Sequence, residues 1–259
     1  MKGAESAATA AAEHLVRERA ITTLPVSPFE LAARDGISVH GADLEGASGV
    51  LLCSGGAFGI LFSRRIDNEA FQRFSVAHEL GHFHLPGHPE ALFIEGDVHR
   101  SHAGFESAVS YEIEADHFAA GLLMPPSLFT AALSRGGNGL DAIQAAATAC
   151  GTSLTATAIR YAQCAEEPAA VIVSSGRSVE YCFMSDEFKE APGLTWIRKG
   201  EPLPRESCTY RFNANADRVR RAERDEDTSD LSLWFGGRRE CEVLEQVIGL
   251  GAYGKTLTV

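Results

Sequence analysis

The chain has 259 residues, of which 45% are hydrophobic and 22% charged, and its formal net charge at pH 7 is -12. This length is enough for two modest domains, and no apolar run approaches the roughly 20 residues that a membrane-spanning helix needs, so a membrane protein is not expected. The acidic balance argues against broad affinity for nucleic acid and favours a basic protein partner.

The cysteines and the start of the chain indicate the compartment. Six cysteines are scattered without C-x-x-C spacing, a pattern typical of reduced thiols rather than of a disulfide framework or a structural zinc site. The alanine-rich start is interrupted by Glu5, Glu13 and His14, so it lacks the continuous apolar region of a secretory signal. We therefore expect a cytoplasmic protein.

The N-terminal part is predicted to form two helices and a small β-sheet. Residues 11–20 and 26–34 have helical patterns, and Ser27 and Pro28 suit the N-cap and first position of the second helix. Three strands are predicted, at residues 37–40, 48–53 and 58–62. The last two form a hairpin around a Ser-Gly-Gly turn. An edge of this sheet can bind an extended peptide by strand addition, and the alternative is a sheet that only completes the core.

The next predicted helix carries the sequence His-Glu-Leu-Gly-His at residues 78–82, with apolar residues around it at intervals of three and four. At helical spacing the two imidazoles occupy one face, and Glu79 lies beside them. Gly81 costs a helix about 1 kcal/mol relative to alanine, which indicates the close approach of another backbone. The arrangement is typical of a zinc hydrolase, and the alternative is a core helix with two partly buried histidines.

A zinc hydrolase needs a third protein ligand and keeps its fourth position for water. Residues 111–125 are predicted to form a second helix that two prolines end. Glu112 and Asp116 share one face of it, so Glu112 can bind the metal while Asp116 accepts a ring N–H, with His78 as the expected donor. Glu114 is the competing ligand, although it points away from that face. The remaining alternative is an ordinary amphipathic helix with solvated carboxylates.

Residues 139–163 are predicted to be helical, with a glycine turn at Gly151 that gives the pattern of a helix-turn-helix. The second helix has Arg160 as its one cation, whereas phosphate binding usually draws on several lysines and arginines. Direct DNA binding is therefore not expected, and a packing or substrate-docking role is favoured.

The last ninety or so residues have the pattern of a small α+β unit. Strands are predicted at residues 170–174, 179–183, 195–197, 232–235 and 242–248. Residues 218–230 are charged and poor in apolar side chains, so they are predicted to be a mobile, solvated loop.

Two stretches together resemble the ImmA/IrrE family of bacterial metallopeptidases. They are Arg-Phe-Ser-Val-Ala-His-Glu-Leu-Gly-His at residues 73–82 and Glu-Ile-Glu-Ala-Asp-His-Phe-Ala-Ala-Gly-Leu-Leu-Met-Pro at residues 112–125. The resemblance implies three zinc ligands and a general base, namely His78, His82 and Glu112 with Glu79. Many relatives carry asparagine where this chain has Asp116, a difference that keeps hydrogen bonding to a ligand possible but changes the charge.

The predicted fold class is α+β, in three parts. A mainly helical, zincin-like peptidase core with a small N-terminal β-sheet is expected at residues 1–135. A helix-turn-helix-like helical segment follows at 136–166, as a similar segment does in the family. A C-terminal α+β domain at 167–259 is expected to regulate activity or to shape the substrate site.

The resemblance implies a gluzincin-like endopeptidase that uses Zn2+, or Mn2+ in its place. Its expected substrate is a helix-turn-helix transcriptional repressor, whose cleavage turns on a stress or mobile-element response. Two alternatives stay open: a DNA-binding regulator with a structural metal site, and a metallopeptidase that acts on an antitoxin or another substrate. The oligomeric state is not defined by the sequence.

Such an enzyme also needs a hydrogen-bond donor opposite the metal to stabilise the tetrahedral intermediate. The candidates, which the sequence does not separate, are Tyr111, His99 and His102. His84 and His88 follow the motif on a segment broken by Pro86, and they are predicted to lie at the surface or rim.

Overall fold

A computed structural model describes residues 2–94, 96–102, 109–165, 167–237 and 241–259. Within these ranges the chain has twelve α-helices and two β-sheets, and the predicted α+β class is confirmed. The chain divides into two compact units, which are Met1–Arg135 with Ala145–Ala156, and Gly136–Gln144 with Thr157–Val259. No helix among the described residues is both long and apolar enough to cross a membrane.

The first unit combines helices with a four-stranded sheet. Its helices are α1 (Lys2–Glu18), α2 (Pro28–Arg34), α3 (Glu69–His84), α4 (His88–Leu92), α5 (Ser110–Leu123) and α6 (Pro126–Arg135). Its strands are β1 (Ser38–Ala42), β2 (Gly49–Ser54), β3 (Ala57–Ser63) and β4 (Val98–Ser101). The strand order is β1-β3-β2-β4, with β1 parallel to β3 and the other pairs antiparallel. β4 was not predicted from the sequence, and it forms one edge of the sheet.

Helices α3 and α5 cross closely at Gly81, as the glycine in the motif predicts. A β-carbon at Gly81 would lie 3.1 Å from the Cα of Ala115 and 3.2 Å from its carbonyl oxygen. The start of α3 is capped by Asn68, whose side chain accepts a hydrogen bond from the Phe71 backbone N–H at 3.1 Å. The crossing brings the polar faces of the two helices together, with the buried apolar residues of this unit around them.

Two further helices, α7 (Gly139–Cys150) and α8 (Leu154–Cys164), flank a turn at Gly151, whose φ is +63°. The buried guanidinium of Arg73, on α3, donates hydrogen bonds to the carbonyls of Cys150 and Gly151 at 3.4 and 3.2 Å. It also donates to the Val26 carbonyl at 2.6 Å. A cation at the C-terminus of α7 is favourable to the helix dipole. This one side chain therefore connects the end of α7 to α3 and to the segment just before α2.

The second unit is built on a five-stranded antiparallel sheet. Its strands are β5 (Ala170–Ser175), β6 (Ser178–Met184), β7 (Arg224–Asp230), β8 (Glu242–Gly249) and β9 (Lys255–Thr258), in the order β6-β5-β9-β8-β7. The helices here are α9 (Asp186–Lys189), α10 (Cys208–Asn213), α11 (Ala216–Arg220), α12 (Leu231–Phe235) and a 3-10 turn at Gly251–Tyr253. Apolar side chains of the sheet and helices form a separate core.

The prediction of a mobile loop at residues 218–230 is wrong. The segment contains the end of α11 and the whole of β7, which pairs with β8 from Arg224 to Asp230. Most side chains of β7 are exposed, because an edge strand needs few apolar residues and charged side chains protect it from pairing with other chains. The sequence of β7 is therefore hydrophilic although its backbone forms a regular strand.

Two predicted strands of this unit are also wrong. Residues 195–197 form no strand, since Thr195 donates its N–H and its hydroxyl to the Phe235 carbonyl at 2.6 and 2.8 Å and so holds the segment outside the sheet. Residues 232–235 lie in helix α12, which begins at an N-cap, Asp230, that accepts a hydrogen bond from the Ser232 N–H at 2.7 Å. The short apolar run in this helix is compatible with either structure by pattern alone.

Candidate metal centre

Three buried side chains from α3 and α5 converge on one point. His78 Nε2 lies 3.0 Å from His82 Nε2 and 3.4 Å from Glu112 Oε2. His82 Nε2 lies 3.2 Å from Glu112 Oε1. Among the described residues these three side chains form the cluster whose ligand atoms are placed to hold a metal ion. They are the residues that the sequence suggested as ligands.

The spacing and chemistry of this cluster fit zinc. A tetrahedral zinc with bonds of about 2.0–2.1 Å separates its ligand atoms by roughly 3.3 Å, and the three separations observed lie between 3.0 and 3.4 Å. Two imidazole nitrogens and one carboxylate oxygen form a known donor set for catalytic zinc.

Asp116 holds His78 from the side away from the cluster. Its Oδ1 lies 2.8 Å from His78 Nδ1, and both side chains are buried. Burial lowers the pKa of His78, but hydrogen bonds to Asp116 and Glu112 outweigh this and raise it to about 10. At this pKa both ring nitrogens of His78 carry a proton when no metal is bound. A metal at the cluster would take the place of the Nε2 proton, while the Nδ1 proton stays donated to Asp116.

Glu112 is surrounded by imidazoles. Burial alone would raise the pKa of its carboxyl, yet hydrogen bonds to His78, His82 and His99 hold that pKa far below its usual range. His99, on the edge strand β4, places its Nε2 2.9 Å from Glu112 Oε1. For His82, burial dominates and lowers the pKa to about 4, so this imidazole is neutral and has a lone pair to offer.

Glu79 is fully buried, and neither of its carboxylate oxygens has a hydrogen-bond partner among the described residues. Burial raises its pKa to about 7, against opposing effects of His78 and of the Ser101 hydroxyl. That hydroxyl lies near the carboxylate but outside hydrogen-bond geometry. The nearby strand β2 passes so close at Gly49 that an added β-carbon would collide with Glu79 Oε1. A buried carboxylate without a partner is rare and costly in proteins, which points to a functional group.

His88 was predicted to lie at the surface or rim, and this prediction is wrong. The side chain is buried against the cluster. Its Nδ1 is 3.0 Å from His82 Nδ1, and its Nε2 is 3.4 Å from Glu114 Oε2. The chain reverses at Gly87, which has a φ of +84°, and α4 then begins with His88 itself. Pro86 indicated a break but not this return, and the signal that could have found it is the Pro-Gly pair directly before His88. His84, by contrast, is partly exposed and contacts Asp35 at 2.9 Å.

The three candidate transition-state donors lie in different places. His99 contacts Glu112 directly, as described above. Tyr111 is 37% exposed and its ring packs against His88, with 4.7 Å between the ring centres. His102 is exposed. Of the three, His99 is the one that the structure brings to the cluster, on a strand that the sequence did not reveal.

Comparison with known proteins bears on the first unit most directly. Residues 32–161, half of the chain, match the model of Peptidase M78, described as the IrrE N-terminal-like domain. A solved structure described as a Mycobacterium tuberculosis transcriptional regulator has a similar fold, with a TM-score of 0.57 and 15% identity, over 97% of this chain and 75% of that one. No curated protein matches significantly.

Proposed function

The chain belongs to the Peptidase M78 family, that of the IrrE N-terminal-like domain, and on this basis we propose that it is a zinc-dependent endopeptidase. One observation supports this more than any other. The buried cluster of His78, His82 and Glu112 has the spacing of a zinc site, and the next residue after His78 in the same helix is Glu79, whose buried carboxylate has no hydrogen-bond partner among the described residues.

A zinc ion held by these three side chains would polarise the carbonyl of the scissile peptide and lower the pKa of the attacking water. Glu79 is proposed as the general base, which takes a proton from that water and passes it to the leaving amine. Both oxygens of Glu79 are free of hydrogen-bond partners among the described residues, so a lone pair is available to accept the proton. Asp116 keeps the Nε2 lone pair of His78 directed into the cluster.

Strand β4 is the proposed substrate-binding edge. It pairs with β2 on one side, and no other described strand pairs with its second side. An extended peptide can add to such an edge through backbone hydrogen bonds. His99 lies on this strand and reaches Glu112, so a peptide bound along β4 would pass the cluster.

The proposed substrate is a helix-turn-helix transcriptional repressor in the cytoplasm, whose cleavage starts a stress or mobile-element response. The net charge of -12 suits a basic, DNA-binding partner. Direct DNA binding by this chain is not proposed, because Arg160, the one cation in the sequence of α8, is buried. The description of the solved structure as a transcriptional regulator favours a role in transcription.

The test is to incubate the purified chain with zinc, or with manganese in parallel, and with the helix-turn-helix repressor encoded by the neighbouring gene. We expect one discrete cut, identified by mass spectrometry of the fragments, that is lost with a chelator and in His78→Ala. Absence of a discrete cut under either metal would contradict the proposed substrate. Tight operator binding by the chain alone would favour a DNA-binding regulator, and cleavage of an antitoxin instead would favour a peptidase of other specificity.

A further inference from the structure

The two ligand histidines of the candidate metal centre are supported in different ways. His78 is hydrogen-bonded directly to a carboxylate, that of Asp116. Among the described residues, no carboxylate contacts the Nδ1 of His82. There it faces the imidazole of His88, with 3.0 Å between the two Nδ1 atoms. Two imidazole nitrogens at this distance form a hydrogen bond when one carries a proton and the other a lone pair.

Binding of a metal through His82 Nε2 decides which nitrogen carries the proton. The Nε2 lone pair of His82 is directed at His78 and Glu112, so the ring proton of His82 must sit on Nδ1. His88 then has to accept that proton's hydrogen bond through Nδ1, which leaves its own proton on Nε2. His88 Nε2 lies 3.4 Å from Glu114 Oε2, a long but correctly paired contact between N–H and carboxylate.

We propose that His88 and Glu114 are positioning residues that fix the tautomer and orientation of His82 through the hydrogen-bonded series His82–His88–Glu114. This inference rests on the proposed zinc-binding function. In this arrangement each ligand histidine is connected to a carboxylate. His78 is hydrogen-bonded to Asp116 directly, and His82 is connected to Glu114 through the imidazole of His88. Partners of this kind usually change metal affinity by about 10–100-fold when they are removed.

The surroundings hold this series in place. His88 is buried, and the Tyr111 ring packs edge-on against it. Ser110 donates its hydroxyl to Glu114 Oε1 at 2.7 Å, so both oxygens of the Glu114 carboxylate are engaged. The sequence suggested Glu114 as an alternative to Glu112 for the third metal ligand. Its contact with His88 instead indicates a positioning role.

The first test measures zinc affinity by competition with a chromophoric chelator. His88→Phe keeps a ring but removes the acceptor, and we expect it to weaken zinc binding about 10–100-fold. His88→Asn offers an amide oxygen where Nδ1 stands, and it should recover part of that loss. Glu114→Gln should weaken binding by a smaller factor, because it keeps the shape and loses the charge. If His88 only fills space, the order reverses and the phenylalanine variant binds zinc better than the asparagine variant.

Two control variants match these changes outside the series. His84→Asn removes an imidazole that contacts Asp35 instead, and Glu90→Gln removes a charge from an exposed side chain of α4. Both should bind zinc as the wild type does. Thermal unfolding of each metal-free variant shows whether a loss of affinity comes only from a loss of folding.

The second test needs no variant. In the zinc-loaded wild-type chain labelled with nitrogen-15 histidine, long-range proton–nitrogen spectra should show His88 with its proton on Nε2. A His88 protonated on Nδ1, or unchanged zinc affinity in both His88→Phe and Glu114→Gln, would overturn the inference while leaving the proposed function intact. Absence of zinc binding by the wild type would overturn both.

Discussion

At Gly49, a methyl group would collide with the carboxylate of Glu79. We therefore expect Gly49→Ala to displace that carboxylate and to lower peptide hydrolysis by about 10–100-fold or more, because misplaced catalytic groups lose much of their effect. Zinc content should not change, since the three atoms nearest to the added β-carbon all belong to Glu79, which is not a proposed ligand.

The matched control is Gly59→Ala on the neighbouring strand β3, where an added β-carbon would have only ordinary contacts, of 3.7 Å or more. Its hydrolysis should equal that of the wild type. Equal rates for the two variants would show that the position of the Glu79 carboxylate does not matter.

Glu112 and Glu114 lie two positions apart in α5, and we propose different roles for them. Glu112→Ala removes a proposed ligand, and Glu114→Ala removes a group two hydrogen bonds away from His82. We expect zinc affinity to fall by more in Glu112→Ala than in Glu114→Ala, as measured by chelator competition. The reverse order would transfer the third ligand position to Glu114.

Single residues show how far the sequence could predict this site. The spacing of His78 and His82 follows from helix geometry, so a local pattern is enough to suggest this pair. Glu112 lies on another helix, and the sequence suggested it through the face that it shares with Asp116 and through the family resemblance. His88 was missed because its position depends on a chain reversal at Gly87, and Gly49 was missed because only the packing of β2 on α3 gives it meaning. Contacts between segments distant in sequence are not visible in periodicity.

At the level of elements, the crossing of α3 and α5 sets the geometry of the cluster. In Gly81→Ala the new β-carbon would press on the backbone of Ala115 at 3.1 Å. Overpacking of this kind costs about 1–3 kcal/mol, against a gain of about 1 kcal/mol in helix propensity. We expect a lower free energy of unfolding, measured with urea, together with weaker zinc binding because the two ligand-bearing helices move apart.

Gly96→Ala is the control for this substitution, since a β-carbon there meets nothing within 4 Å among the described residues. It should leave stability and zinc affinity unchanged. A Gly81→Ala protein as stable and as tightly zinc-bound as the wild type would mean that the helix crossing tolerates a wider separation.

The predictions of helices and strands are correct where one face of the element is apolar and buried and the other is polar and exposed. They are wrong where the two faces differ little. The motif helices and the first hairpin have strong apolar patterns, and the structure has helices and strands there. Strand β4 is only four residues long, and β7 is mostly exposed and charged, so neither has a pattern that favours a strand. Both owe their structure to pairing with β2 and β8.

At the scale of the whole chain, the proposed ligands all lie in the first unit, and each unit has its own apolar core. Zinc stabilises the state that binds it. Hydrogen exchange should therefore slow in α3 and α5 when zinc is added and stay the same in β5 to β9. Equal slowing in both units would show that zinc acts on folding of the whole chain. The domain boundaries predicted at residues 135 and 166 stay predictions.

We propose that zinc at His78, His82 and Glu112 works with Glu79 to hydrolyse a peptide bond. The most direct test of this proposal is the cleavage rate of Glu79→Gln, measured on protein whose zinc content is determined in the same sample. We expect about one zinc per chain and a rate lowered by about 10²–10⁴-fold, the usual contribution of a general base. Cleavage at the wild-type rate by this zinc-loaded variant would contradict it.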